Sequence, residues 1–324
     1  MKRLLALIII TASLWAGYWV IGSRAVAQAY IAYFAAQDDR GWSANYTDLE
    51  VTGFPNRFDV MLSDVFIADT QSGLGWEAPF FQTLSLSYKL QHIIAAFPNE
   101  HFLFTPQTEY RIRNEKLQAS LVVNLRQNGA VRRSNLHGTG VTIDRDTAPF
   151  AQFDEVFAAI HDIEAAPQSY KINLRALGLN TPDFPNTTGN NHVQGDIEID
   201  LDRPLDKAAL SEARPKMTRV SLKKISGTLG ATEFLLAGDV TVDHSGIPEG
   251  ALQLRLVNWR TALDRMLEQI FGATMAAETR TQIVAAAGMF FADGETLDLP
   301  IDLRGGNVYL GPLNIGAAPN LHLP

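Results

Sequence analysis

The sequence predicts a mainly β chain of the α+β class: a long, curved, mostly antiparallel sheet with a few packing helices, preceded by an N-terminal transmembrane or signal helix. Three observations predict it. Beyond the N-terminal region, apolar residues recur at every second position in stretch after stretch, the period of a strand with one buried face. Short clusters of Gly, Pro, Asn and Ser separate these stretches, which favours hairpin links and antiparallel pairing. Residues 4–21 are uncharged and mostly apolar, directly behind Lys2 and Arg3.

That first stretch spans roughly 27 Å as a helix, close to the hydrocarbon thickness of a bilayer. Lys2 and Arg3 are expected on the cytoplasmic side, which places the remainder outside. Two readings stay open. Ala25-Val26-Ala27 before Gln28 would serve as a small-x-small cleavage site. Against cleavage, the apolar stretch is long for a signal, and Trp15, Tyr18 and Trp19 gather near its outer end, where aromatic rings favour the headgroup zone. The helical pattern also continues through Val26, Tyr30, Ile31, Tyr33 and Phe34 without Gly or Pro. Residues 1–27 are therefore an anchor or signal, and 28–324 a periplasmic β-rich domain. The expected localisation is the inner membrane with a single N-terminal pass and the bulk in the periplasm, or a soluble periplasmic chain if cleaved.

Along the exported chain, weaker strand patterns lie at Tyr46–Thr52, Phe58–Leu62 and Leu84–Tyr88. Lys116–Arg126 alternates well, with Leu117, Ala119, Leu121, Val123 and Leu125 on one side and Val122 the exception. Further strands are read at Tyr170–Ala176, Ile197–Leu201, Phe234–Val242, Leu252–Leu256 and Leu297–Leu303. Turn signals include Gly53-Phe54-Pro55, Gln127-Asn128-Gly129, His244-Ser245-Gly246 and Arg304-Gly305-Gly306-Asn307. Three- and four-residue spacing predicts helices over Trp259–Phe271 and Glu278–Phe291, with Gly272 ending the first. Residues 154–164 suit a short helix or a strand. Residues 178–195 read as a long loop and a possible domain sub-boundary, and 202–219 as a connection with one helical turn.

Composition narrows the function classes. Twenty-seven basic against 35 acidic residues give a net charge of −8, which disfavours a nucleic-acid surface and adhesion to anionic headgroups outside the anchor. Cysteine is absent, so stability outside the cytoplasm must come from a core and hydrogen-bonded strands.

Gly53-Phe54-Pro55-Asn56-Arg57-Phe58-Asp59-Val60 follows the N-terminal helix, Gly238-Asp239-Val240 opens a run that leads to Leu252–Trp259, and Val308-Tyr309-Leu310-Gly311-Pro312-Leu313-Asn314-Ile315 lies near the end. Together these features resemble an uncharacterised proteobacterial family, domain of unknown function 2125, itself similar in style to AsmA-like envelope proteins. The resemblance covers most of the exported chain, least over 178–219, and brings no catalytic residues. It implies an anchored periplasmic β-sheet protein and, through the AsmA likeness, a sheet curved around a lipid-facing groove.

The candidate sites divide unevenly between chemistry and architecture. In Gly53-Phe54-Pro55, Gly53 tolerates positive φ, Pro55 fixes its own φ and Phe54 is expected to fill the core, so a turn is preferred over a docking loop. Asp196, Glu198, Asp200 and Asp202 share one strand face, but alternate strand residues stand about 6.8 Å apart, too far to wrap one calcium ion, so a solvated face is expected. The seven histidines lack metal-site spacing, and no nucleophile elbow or phosphate loop appears. The chain is expected not to be an enzyme and to need no cofactor.

Phe80-Phe81, Phe102-Leu103-Phe104 and Phe290-Phe291 suit core packing or the lining of an acyl-chain cavity. Two helices of about 20 Å can cover only part of a roughly ten-strand sheet. The leading expectation is a membrane-tethered protein whose apolar sheet face binds or shields phospholipid or another acyl-chain ligand in envelope maintenance. Leu117, Leu121, Val123, Leu252, Leu254 and Leu256 are expected to border that face. The alternative is a scaffold of envelope machinery with a closed sheet and no ligand.

Overall fold

The computed structural model describes residues 1–37, 41–211, 215–271 and 275–322. The fold is mostly β, with 55% of residues in strands and, among the described residues, one long antiparallel sheet and four helices. Two compact units divide the chain, residues 1–152 and 153–324. The division falls inside a strand, β10 (Ala148–Ile163), and the loop after Leu177 lies within the second unit.

The first unit begins with helix α1 (Lys2–Ala35), which has no Pro and no acidic residue. Residues 2–14 of the helix are exposed, and its C-terminal half packs on β1 (Trp42–Asn45), β2 (Asp48–Thr52) and β3 (Arg57–Asp69). β1 and β2 lie end to end along one side of β3. β4 (Gly75–Leu86) pairs with the other side, then takes β5 (Lys89–Ala96) and β6 (Glu100–Phe104) end to end. β7 (Glu109–Arg113) pairs with β6 and β8 (Lys116–Asn124) with β5, and β9 (Ala130–Arg145) pairs with both. Phe58, Val60 and Leu62 of β3 alternate inward and are almost fully buried.

The second unit is a meander of β10, β11 (Ala166–Leu177), β12 (His192–Leu201), β13 (Met217–Leu229), β14 (Thr232–Val242) and β15 (Pro248–Val257). A single helical turn, α2 (Lys207–Ser211), interrupts it. Helices α3 (Trp259–Phe271) and α4 (Ala277–Phe291) follow. The chain then returns through β16 (Ala292–Asp293) to β17 (Thr296–Arg304) beside β15, and ends in β18 (Asn307–Leu310) and β19 (Leu313–Ala317). The core sits where α3 and α4 cover this end of the sheet. Trp259, Leu263 and Leu267 of α3 and Ile283 and Ala287 of α4 pack on Leu254, Leu256, Leu297 and Leu299.

Of the stretch 154–164, residues 154–163 belong to strand β10, with Val156, Ala158 and Ile160 opposite Ala176, Leu174 and Ile172. The loop before β12 is shorter than expected, ending at Asn191. Gly272, expected to end α3, lies outside the described residues.

Candidate functional site

On the polar face, the acidic strand β12 is tied to its neighbours. Glu198 lies 3.8 Å from Lys171 on β11 and 3.3 Å from Lys223 on β13. Asp200 faces Arg219 at 3.5 Å, which also holds Asp239 at 2.9 Å, and Asn173 donates to Asp196 at 2.6 Å. These are cross-strand pairs along a ladder, in which Asp200 and Asp239 share Arg219 and Glu198 lies between two lysines.

The apolar residues singled out in the sequence fall into two sets. Leu117, Leu121 and Val123 lie on β8 in the first unit, and all three are half-buried. Leu121 stands opposite Ile93 on β5 and Ser134 on β9. A register shift at Val122/Val123, opposite Arg133 and Val131, leaves Arg132 of β9 as the extra residue of a bulge. No residue of β5 or β8 is fully buried on either face.

Leu252, Leu254 and Leu256 lie on β15 in the second unit, with Gly238, Leu236 and Phe234 beside them on β14 and Ile301, Leu299 and Leu297 on β17. Leu252 is half-buried, whereas Leu254 is 4% and Leu256 1% exposed beneath α3 and α4. Leu256 is thus closed core. Leu254 is both core and wall of a cavity of about 840 Å³ between the two helices and β15, β17, β18 and β19. Leu263, Met266, Ile283, Leu299 and Ile315 are among its other walls, and the described lining includes no charged side chain. Thr279 and Asn314 are its polar side chains. The volume falls in the range of about 300–1,000 Å³ usual for small-molecule sites, and the methionines can adjust to an irregular guest. Periodicity identified Leu254, but the cavity depends on how β17–β19 return beside β15, and no local pattern reports that.

The third feature is where α1 meets the sheet. The Trp15 indole Nε1 donates to the Pro55 carbonyl at 3.0 Å, Tyr18 Oη to Ser87 O at 2.5 Å and Trp19 Nε1 to Arg57 O at 2.7 Å. Gly22 lies against Phe58, whose ring would be 2.5 Å from any Cβ placed there. Further out, Tyr30 Oη and Thr83 Oγ1 share a hydrogen bond of 2.6 Å, and Phe34 is buried with Leu62 and Val65. The Gly53-Phe54-Pro55 turn does need a glycine: Gly53 has φ +97° and a Cβ there would lie 2.9 Å from the Arg57 carbonyl. The expectation that Phe54 fills the core is corrected. Phe58 occupies the space under α1, and Phe54 is 59% exposed, edge-on to Trp19 at 5.4 Å. The other aromatics also divide. Phe81 packs with Trp76 and Phe97, Phe102 stacks on Phe104, and Phe290 is exposed at the end of α4.

Comparison with protein families settles the relationship. The family model described as an uncharacterised protein conserved in bacteria, DUF2125, matches residues 19–319. The chain belongs to the DUF2125 family. No curated protein and no solved structure matches it. The family match opens at Trp19, inside α1, at the residue whose indole holds the Arg57 carbonyl. α1 is the one helix among the described residues that is long and apolar enough to cross a membrane.

Proposed function

We propose that this DUF2125 protein is a non-catalytic, membrane-anchored protein of the bacterial inner membrane, with its bulk in the periplasm and an apolar sheet face that holds phospholipid acyl chains. The observation that carries the reading is the cavity under α3 and α4: about 840 Å³, walled by aliphatic side chains and methionines, without a charge in its described lining. Such a space has little to offer a polar substrate and suits a hydrocarbon chain, with the head left outside. The half-buried apolar residues of β5 and β8 supply a second, more open surface of the same chemistry. Retention of α1 is supported by its outer half. Cleavage after Ala27 would remove Trp15, Tyr18, Trp19 and Gly22, all seated on the sheet.

The scaffold reading draws on the closure of Leu256 and Leu297 beneath the helices, which leaves that part of the sheet complete without a guest. Photolabelling separates the two. The full chain in detergent is incubated with a phosphatidylethanolamine carrying a diazirine at one acyl end, irradiated, and its adducts are mapped by mass spectrometry. The lipid reading predicts adducts on cavity residues such as Met266, Ile283 or Ile301, and their loss when Ala317→Trp fills the space. Adducts confined to α1 would favour the scaffold.

A further inference from the structure

The Gly53-Phe54-Pro55 turn and the β4–β5 turn at Ser87-Tyr88 lie side by side, joined by the Ser87 amide donating to the Asn56 carbonyl at 2.9 Å. Both are pinned to α1 between Trp15 and Trp19. At about 1.5 Å per residue, Trp15 stands roughly 20 Å and Trp19 roughly 26 Å along the helix from Lys2. The hydrocarbon layer is about 30 Å thick. With Lys2 and Arg3 at one face of the bilayer, the two turns therefore meet α1 below the opposite edge of the hydrocarbon, not above it.

Their surface chemistry matches that depth. Phe54 is 59%, Tyr88 60% and Leu90 47% exposed, which leaves large apolar side chains of both turns uncovered by protein. Exposed Lys89 stands beside them, long enough to carry its charge outward to phosphates, while Arg57 is paired with Asp59. Backbone carbonyls at this depth need partners, because lipid supplies none. Those of Pro55, Arg57 and Ser87 receive theirs from the two indoles and the phenol of α1. Trp and Tyr are the side chains that favour the interface between hydrocarbon and water.

We propose that these two turns are a membrane-seating surface: Phe54, Tyr88 and Leu90 insert into the outer leaflet of the bilayer that α1 crosses. The partner is the lipid interface itself. The proposal rests on the reading of α1 as a retained anchor. It adds that β4 and β5 rise directly from that leaflet, so that acyl chains reach the half-buried face of β5 and β8 from the membrane without crossing water.

The absence of native cysteine makes the test direct. Phe54→Cys, Tyr88→Cys, Leu14→Cys and Leu125→Cys are each labelled with a nitroxide in the full chain. The chains are reconstituted into vesicles of phosphatidylethanolamine and phosphatidylglycerol. Collisions with oxygen, which partitions into lipid, are compared with collisions with a water-soluble nickel chelate. Leu14 on bare α1 reports the bilayer, and Leu125 at the β8–β9 turn reports water. The seating surface predicts that Phe54→Cys and Tyr88→Cys show oxygen-favoured collisions close to Leu14→Cys and well above Leu125→Cys. If Leu14→Cys is in lipid while both turn positions match Leu125→Cys, the seating is wrong and the anchor stands. If Leu14→Cys itself is in water, the anchor reading fails and the seating falls with it.

Discussion

His101 on β6 is 3% exposed, between the rings of Trp76 at 6.2 Å and Phe97 at 6.0 Å, and its Nδ1 has no hydrogen-bond partner among the described residues. Burial holds its pKa below the usual imidazole value of 6.5, with the Pro98 carbonyl pulling more weakly the other way. A base with a depressed folded pKa takes up its proton first in the unfolded chain. Its contribution to stability is therefore present above pH 6.5 and is lost as the pH falls below that value. One proton limits the slope to about 1.4 kcal/mol per pH unit. Melting of the full chain in detergent is predicted to fall more steeply below about pH 6.5 in the wild type than in His101→Gln. Parallel curves would contradict this. The sequence exposed His101 only as a histidine without metal spacing. Its burial follows from Trp76 arriving on β4 and from the β5–β6 connection folding Phe97 back over it, which the strand period does not report. Phe54 and Phe58 flank one turn: Phe58 is on the inward face of β3 and packs under Gly22 of α1, whereas Phe54 stays in the turn, exposed.

At the scale of elements, legibility tracked the regularity of the period. Trp259–Phe271 was readable with its observed ends because a 3.6-residue stripe faces one core. β13 went unread because a register shift between Leu222 and Ile225, spanning Lys223 and Lys224, puts its apolar residues out of phase. In β12 the alternation was clear, and the carboxylates were expected on a solvated face. Their cross-strand partners on β11 and β13 became visible only with the register. These pairs are largely exposed, and such pairs contribute about 0–1 kcal/mol each. Glu198→Ser with Asp200→Ser is predicted to lower stability by less than about 1 kcal/mol per lost pair, with the loss shrinking at high salt. A melting temperature of the wild type that rises with added calcium, and a double variant that no longer responds, would contradict the pairing and indicate a cation site.

Across the whole molecule, the sequence disclosed a mostly antiparallel sheet with too few helices to cover it. It also disclosed an apolar N-terminal helix of membrane-crossing length. The division at 152/153 was not readable, because it falls within β10 where the strand pattern is unbroken. The cavity was not readable either, since its walls come from α3, α4 and four strands brought together by the return of β17. α1 joins the scales: an exposed, apolar N-terminal part of a helix long enough to cross a membrane, and a later part whose Trp19, Gly22, Tyr30 and Phe34 complete the first unit. The account stands on that helix being one continuous element of the mature protein. The direct measurement is the intact mass of the native protein, together with its fractionation. The account predicts a chain that retains residues 4–27, stays with membranes at high salt and leaves them only with detergent. A soluble chain that begins at Gln28 would contradict it.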